Sequence, residues 1–198
     1  MQPLQDVALL ILDTGLRVGE AASLRWADIR LDPAGEARYG FLRVRLGKSE
    51  NARRNVPLTG RVREMLMARG ALQHTSYIFP GRNADKPILV TSLDHQHRKL
   101  RKLLKLPEEF VLHCLRHTML SRLGESGVEA FTIMRIAGHS SVTVSQRYVH
   151  PSPETIENAI TRLEALNGGA TVKILNDQKR LLPSANFTTL DGESPVTH

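Results

Sequence analysis

The apolar positions of the chain recur mostly with helical spacing and alternate only in short stretches. Residues 4–12 are apolar on most faces and stop at Thr14 and Gly15, which predicts a helix that ends at a glycine. A second short helix is predicted from Val18 to Leu24. Arg17 is therefore expected in the turn between two helices.

Strand-like alternation is confined to one region. Residues 41–46 alternate between aliphatic and basic side chains, and residues 55–58 can return antiparallel to them. Residues 47–53 then form a hairpin loop with Lys48 near its tip. A short third strand is predicted at residues 77–79.

The rest of the chain is predicted to be helical up to a polar tail. Further helices are expected at residues 61–69, 92–104 (a basic amphipathic helix), 112–125, 130–137, 142–149 and 154–166. These elements predict a mixed α+β fold, mainly α-helical, with a small antiparallel β-sheet at one edge. Residues 168–198 are turn-rich, polar and neutral, so we expect a folded domain over 1–167 and a flexible tail over 168–198.

The charge points to a polyanionic partner. The 198 residues are 41% hydrophobic and 24% charged, as in one globular domain, and carry a net charge of +7. This excess favours nucleic acid over an acidic membrane surface. Only 5% of the residues are aromatic, which argues against stacking on single strands and favours double-stranded DNA.

Other compositional features indicate a soluble protein of the cytoplasm. A single cysteine excludes an internal disulfide and is consistent with a reducing compartment. No apolar run approaches the roughly 20 residues of a membrane span, and the first residues lack a basic signal region. We therefore expect no membrane partner.

Each polar residue that could carry chemistry also has an ordinary structural explanation. Arg17 could pair with Glu20 three residues later, and Tyr148 could be a core aromatic. His113 and His117 have the i, i+4 spacing of a zinc site, but Cys114 occupies the position of the metalloprotease glutamate. A metal site is therefore not expected, and no cofactor is predicted.

Taken together, the cationic residues suit phosphoryl transfer without a metal. Arg17 and Arg116 could hold the two non-bridging oxygens of a phosphodiester, and His139 could donate a further hydrogen bond. The three residues would supply the charge stabilisation that other enzymes take from Mg²⁺.

The same set contains a nucleophile, a base and an acid. The hydroxyl of Tyr148 has an ordinary pKa of about 10, so it must lose its proton as it attacks. His113 is the expected acceptor of that proton. Lys48, on the hairpin, could protonate the departing 5′ oxygen.

Several segments resemble the catalytic domain of the tyrosine recombinases, the phage-integrase family. The resemblance covers about residues 3–166, in family order and with similar spacing. It rests on residues 14–20 (TGLRVGE), Gly47-Lys48 followed by 56–58 (VPL), 113–117 (HCLRH), 137–141 (AGHSS) and 148–151 (YVHP).

The resemblance implies a site-specific recombinase or integrase of a mobile element. Tyr148 would cleave and rejoin DNA strands through a 3′-phosphotyrosyl intermediate, and the other residues would keep the roles given above. Glu20 and His117 would be supporting groups that orient the arginines and histidines. The implied partners are double-stranded DNA and, through the helix at 154–166, other protomers assembled on it near the bacterial nucleoid.

The chain departs from the family pattern in two ways. Cys114 stands where the family usually has aspartate, and the N-terminal DNA-clamping domain of full-length relatives is absent from this chain. Tight site-specific binding by this chain alone is therefore not expected. Two other functions remain open: a type IB topoisomerase-like activity and a non-catalytic DNA-binding remnant of an integrase.

Overall fold

The computed structural model describes residues 3–45, 53–71, 75–150 and 153–181, the last segment with side chains as far as residue 168. The chain divides into two compact units, residues 1–150 and residues 151–198. In order, the helices and strands are α1 Pro3–Thr14, α2 Val18–Ala22, β1 Ile29–Arg30, β2 Phe41–Val44, β3 Arg54–Pro57, α3 Gly60–Gly70, α4 Val90–Leu103, α5 Leu112–Glu125, α6 Ala130–Ala137, α7 Val142–Gln146 and α8 Pro153–Leu181.

Within the described residues, three antiparallel strands form one sheet in the order β1, β2, β3. In the register of β2 and β3, Leu42 is opposite Val56, and both side chains are buried. The alternation of apolar and basic residues predicted this pairing correctly. The loop that joins the two strands, with Lys48, lies outside the described residues.

Two apolar clusters support the first unit. The larger one draws on α1, α3 and the sheet, and its fully buried side chains include Leu10, Ile11, Leu42, Leu66 and Phe79. The smaller one joins α5, α6 and the segment after α7 through Leu120, Ile133, Ala137 and Tyr148. The predicted fold class, mainly helical with a small antiparallel sheet, is confirmed.

The third strand was predicted at the wrong place. Tyr77 makes only an isolated bridge with Arg25, whereas the strand beside β2 is Ile29–Arg30. Ile78 and Phe79 are fully buried, so their apolar character reflects core packing. A two-residue strand is too short to leave a period-2 pattern in the sequence.

The last helix is longer than predicted. It continues through Gly168 to Leu181 instead of ending at about Leu166, so the first part of the predicted tail is helical. Residues 170–181 are largely good helix formers, and each glycine costs only about 1 kcal/mol relative to alanine. Residues 182–198 lie outside the described part.

None of the helices in the described ranges is both long and apolar enough to cross a membrane.

Candidate active site

Tyr148 lies in a turn just beyond α7, not on the helix that was predicted to reach Val149. It is 8% exposed and packs against α5 and α6. A Cβ atom on Gly124 of α5 would lie 1.7 Å from the carbonyl oxygen of Tyr148. Only glycine permits this close approach, which holds the tyrosine backbone against α5.

The hydroxyl of Tyr148 contacts one histidine, and two more histidine rings lie nearby. Its oxygen lies 2.7 Å from Nδ1 of His117, which is a hydrogen bond. The ring of His113 meets the ring of His117 edge-on, with centroids 4.7 Å apart, and the ring of His139 stacks near that of Tyr148 at 6.4 Å. The predicted tyrosine and histidines therefore come together.

Arg116 is 2% exposed and is held by two backbone carbonyls. One Nη donates to the carbonyl of Gly15, and the other donates to the carbonyl of Ala137 at 2.8 Å. Burial, and then the neighbouring charge of Arg17, lower the pKa of Arg116 to about 10. The guanidinium is still charged at neutral pH.

Arg17 lies near Arg116, but its side chain remains accessible to solvent. Its backbone N–H and its Nη1 both donate to the carboxylate of Glu20 at 2.9 Å, while Nη2 donates to the carbonyl of Gly138 at 3.0 Å. The Arg17 side chain is 42% exposed. The structure therefore brings the predicted supporting residue Glu20 into direct contact with Arg17.

A third arginine, Arg54 on β3, was missed by the sequence reasoning. Its side chain is 6% exposed, donates from Nε to the carbonyl of Ile136 at 2.6 Å and forms an ion pair with Glu20 at 2.9 Å. It lies two residues before the buried Val56 and so faces inward on the strand. An arginine in phase with a buried valine is the sequence signal that could have revealed it.

Glu20 is the common acceptor of two of these arginines. Burial alone would raise the pKa of this carboxyl, but the hydrogen bonds and charges of Arg54 and Arg17 outweigh burial and leave the pKa below its usual value. Glu20 is therefore ionised at neutral pH and fixes both guanidiniums.

All three arginines donate hydrogen bonds to carbonyl groups at the C-terminal end of α6. Helix carbonyls in the last turn lack intrahelical partners and carry partial negative charge. Gly138 ends the helix in the left-handed conformation, with φ 65°. The carbonyls of Ile136, Ala137 and Gly138 accept from Arg54, Arg116 and Arg17 respectively.

His139 follows this helix end and is 8% exposed. Its Nδ1 lies 2.8 Å from the hydroxyl oxygen of Ser145. Burial, and then the charges of Arg116 and Arg17, lower the pKa of His139 to about 4. The imidazole is neutral at pH 7 and can act as a hydrogen-bond donor from one nitrogen.

This lowered pKa predicts a pH dependence of stability. Between about pH 6.5 and 4 the unfolded chain binds a proton at His139 that the folded chain does not, so stability falls as the pH falls through that window. We expect a contribution of about 2 kcal/mol between pH 7 and 5. Urea unfolding at both pH values should show a smaller pH difference for His139→Gln than for the original chain. An equal difference would contradict the prediction.

Replacing the buried Arg54 should destabilise the fold much more than replacing its neighbour Arg53. Arg54→Ala leaves the carbonyl of Ile136 unpaired and the buried Glu20 with one partner fewer, so we expect a loss of about 3 kcal/mol. Arg53→Ala removes an exposed side chain of the same type and should cost about 0.5 kcal/mol or less. Urea unfolding compares the two variants, and similar losses would show that the buried network contributes little.

Lys48 belongs to residues 46–52, which lie outside the described residues. Cys114 lies in the first turn of α5, and its Sγ donates to the carbonyl of Glu109 at 3.4 Å. Within the described ranges, no three His, Cys, Asp or Glu side chains group together as metal ligands.

Similarity to known proteins covers most of the chain. Residues 3–155 match the model of the phage integrase family. The integrase of Escherichia phage P2 is 31% identical over 167 residues, which are 83% of this chain and 42% of the relative. Tyrosine recombinase XerC of Rhodospirillum centenum is 34% identical over 158 residues, with coverage of 76% and 44%. The chain thus spans less than half the length of these two relatives.

Solved structures show the same fold. The Tn1549 transposon integrase in complex with transposon right end DNA has a TM-score of 0.65 at 20% identity, over 82% of this chain and 59% of that one. The catalytic domain of bacteriophage HP1 integrase has a TM-score of 0.56 at 24% identity, over 79% of each chain. At these identities the similarity establishes the fold alone.

Proposed function

The chain belongs to the phage integrase family, and from that membership we propose that it is the catalytic domain of a site-specific DNA recombinase. The observation that carries the proposal is the position of the Tyr148 hydroxyl, in contact with a histidine and within the electrostatic influence of Arg116. A phenol placed this way can act as a nucleophile toward a bound phosphodiester.

The proposed reaction conserves the energy of the phosphodiester. The Tyr148 oxygen attacks the scissile phosphorus, the bond from phosphorus to the 5′ oxygen breaks, and a 3′-phosphotyrosyl link remains. The tyrosine proton passes to a histidine of α5, for which the family resemblance indicates His113, and Lys48 protonates the 5′ oxygen. A 5′ hydroxyl of a partner strand then reverses the step, so no cofactor is required.

Arg17, Arg116 and His139 are the proposed phosphate ligands. Two carbonyls account for two of the five N–H groups of Arg116, and a guanidinium can bind backbone and phosphate together. Arg17 is exposed enough to reach a ligand, and Glu20 fixes its orientation. His139 would add a neutral donor.

Double-stranded DNA is the proposed substrate, held first by the positive charge of the chain. Relatives with this fold include XerH bound to its difH substrate and the Tn1549 integrase bound to transposon DNA. We place the protein on the nucleoid DNA of a bacterial cytoplasm. Integration and mobility of a genetic element fit the integrase relatives.

Assembly with other protomers on DNA is also proposed. Four apolar side chains of α8 recur at helical spacing and are each at least half exposed: Ile156, Ile160, Leu163 and Leu166. An exposed apolar stripe of this kind is suited to pack against a neighbouring protomer. Such packing would join catalytic domains at the paired sites that strand exchange requires.

Covalent capture tests the proposed activity. The 198-residue chain is incubated with a library of nicked duplexes of randomised sequence, in which the short fragment that carries the released 5′ hydroxyl diffuses away, so the phosphotyrosyl link is trapped. Adducts that survive denaturation and carry DNA through the 3′ phosphate are expected. Binding without any adduct would favour the non-catalytic remnant, and relaxation of supercoiled DNA by single protomers would favour a topoisomerase-like activity.

A further inference from the structure

Arg54 is connected to the candidate phosphate ligand Arg17 through one carboxylate. Its Nη1 and Nη2 donate to Oε1 and Oε2 of Glu20 at 3.2 and 2.9 Å, so the guanidinium faces both carboxylate oxygens. Arg17 reaches the same carboxylate from Nη1, which donates to Oε1 at 2.9 Å. We propose that Arg54 neutralises Glu20 and thereby leaves the charge of Arg17 available to the scissile phosphate. This inference rests on the proposed recombinase function and adds a positioning residue to it.

The two arginines bind Glu20 in different ways. Two parallel N–H···O bonds to both oxygens form the strongest arrangement of an arginine and a carboxylate, and Arg54 has this arrangement. Arg17 divides its two Nη groups instead, because Nη2 donates to the carbonyl of Gly138 at 3.0 Å while Nη1 donates to Glu20. Glu20 therefore orients Arg17 while its charge is balanced mainly by Arg54.

Burial assigns different tasks to the two arginines. The side chains of Arg54 and Glu20 are 6% and 9% exposed, whereas the side chain of Arg17 is 42% exposed. Arg54 is also fixed by the hydrogen bond from its Nε to the carbonyl of Ile136 at 2.6 Å. Arg54 thus has little surface with which to touch DNA, and its influence on a phosphate passes through Glu20 and Arg17.

Loss of the Arg54 charge would weaken phosphate binding in two ways. The carboxylate of Glu20 would turn to Arg17, its other guanidinium partner in the described part of the chain, because a buried anion without a counter-charge is costly. The same uncompensated carboxylate would repel the negative charge that develops on the phosphate oxygens. Both effects are largest in the transition state, where that charge is greatest.

The test measures single-turnover covalent capture at saturating protein. Arg54→Gln removes the positive charge but keeps an amide donor, and we expect it to slow capture ~10-fold or more. Arg54→Lys keeps a charge beside Glu20 and should slow capture less. Adding Glu20→Gln to Arg54→Gln removes the uncompensated carboxylate, so this double variant should recover most of the lost rate.

Arg69 of α3 provides a matched control. It is also a buried arginine beside a carboxylate, with a side chain that is 3% exposed and an Nη1 that lies 3.4 Å from Oδ2 of Asp6. Its guanidinium lies over the ring of Phe79, 4.7 Å from the centroid, and neither partner belongs to the candidate site. Arg69→Gln should therefore lower the stability but retain the capture rate at a temperature where the variant is folded.

A neutral substrate separates the charge effect from a general loss of structure. A methylphosphonate at the scissile position replaces one non-bridging oxygen by a methyl group and removes the negative charge of the linkage. The carboxylate of Glu20 then has less charge to repel. The ratio of the original rate to the Arg54→Gln rate should therefore be smaller on this substrate than on the phosphodiester, whereas a purely structural role predicts equal ratios.

The possible outcomes separate this inference from the proposed function. An original chain that forms no adduct would overturn the recombinase proposal and this inference with it. With an active original chain, the inference alone fails if Arg54→Gln captures DNA at the original rate, if the added Glu20→Gln brings no recovery, or if Arg69→Gln is slowed equally.

The double variant keeps the test decisive if Arg54→Gln does not fold. Arg54→Gln/Glu20→Gln contains no buried unpaired charge at this position and should fold more stably than the single variant. It retains the charge of Arg17, so it should capture DNA faster than Arg17→Gln. Equal rates of these two variants would overturn the inference.

Discussion

Tyr148→Phe is expected to abolish covalent capture of DNA while leaving equilibrium binding nearly unchanged. The substitution removes only the hydroxyl oxygen, which is the atom that would bond to phosphorus. The ring keeps its apolar packing between α5 and α6, and the lost hydrogen bond to His117 should cost about 1 kcal/mol of stability. Denaturing electrophoresis measures the adduct, and a binding titration on intact duplex measures affinity.

The two other tyrosines of the chain provide matched controls. Tyr39 is exposed, and the hydroxyl of Tyr77 accepts a hydrogen bond from Arg25 at 2.8 Å. Tyr39→Phe and Tyr77→Phe should therefore retain capture. Mass spectrometry of the trapped peptide should place the DNA on Tyr148. An adduct of undiminished yield in Tyr148→Phe would remove this residue as the nucleophile.

Local patterns predicted most of the helices well. The bounds expected for α5 and α6 agree with the structure at both ends, because apolar spacing is regular there and Gly138 supplies a left-handed stop. The pattern failed where an element is very short, as in β1, or where core packing imitates a strand, as at Ile78. The spacing of apolar residues indicates directly which side chains are buried. It indicates the secondary structure only indirectly, through that pattern of burial.

The network around the candidate site could not be predicted from sequence spacing. Arg54 contacts Glu20 across 34 positions and Ile136 across 82, and no local rule relates such distant residues. His113 and His117 share one face of a helix, so spacing alone could not determine which of them contacts the nucleophile. That choice depends on the turn after α7, whose path is set by the close approach of Tyr148 to Gly124.

Arg116→Ala is expected to slow cleavage by at least two orders of magnitude, because each lost donor to a transition-state oxyanion costs roughly 3 to 4 kcal/mol. It should also destabilise the fold, since the buried carbonyls of Gly15 and Ala137 lose their donor. Arg17→Ala should slow cleavage similarly but cost less stability, because the Arg17 side chain is 42% exposed. Single-turnover cleavage and urea unfolding measure the two effects separately.

Arg116→Lys tests whether a positive charge at this position is sufficient for cleavage without the guanidinium geometry. An ammonium group cannot reach two backbone carbonyls and two phosphate oxygens with the planar geometry of a guanidinium, so the rescue should be poor even where the protein folds. Rates are compared at saturating protein. The temperature is one at which the unfolding measurements show that the variant is folded. Full activity of Arg116→Lys under those conditions would contradict a bidentate role. Slow cleavage by a folded lysine variant would show that the buried guanidinium acts through its geometry as well as its charge.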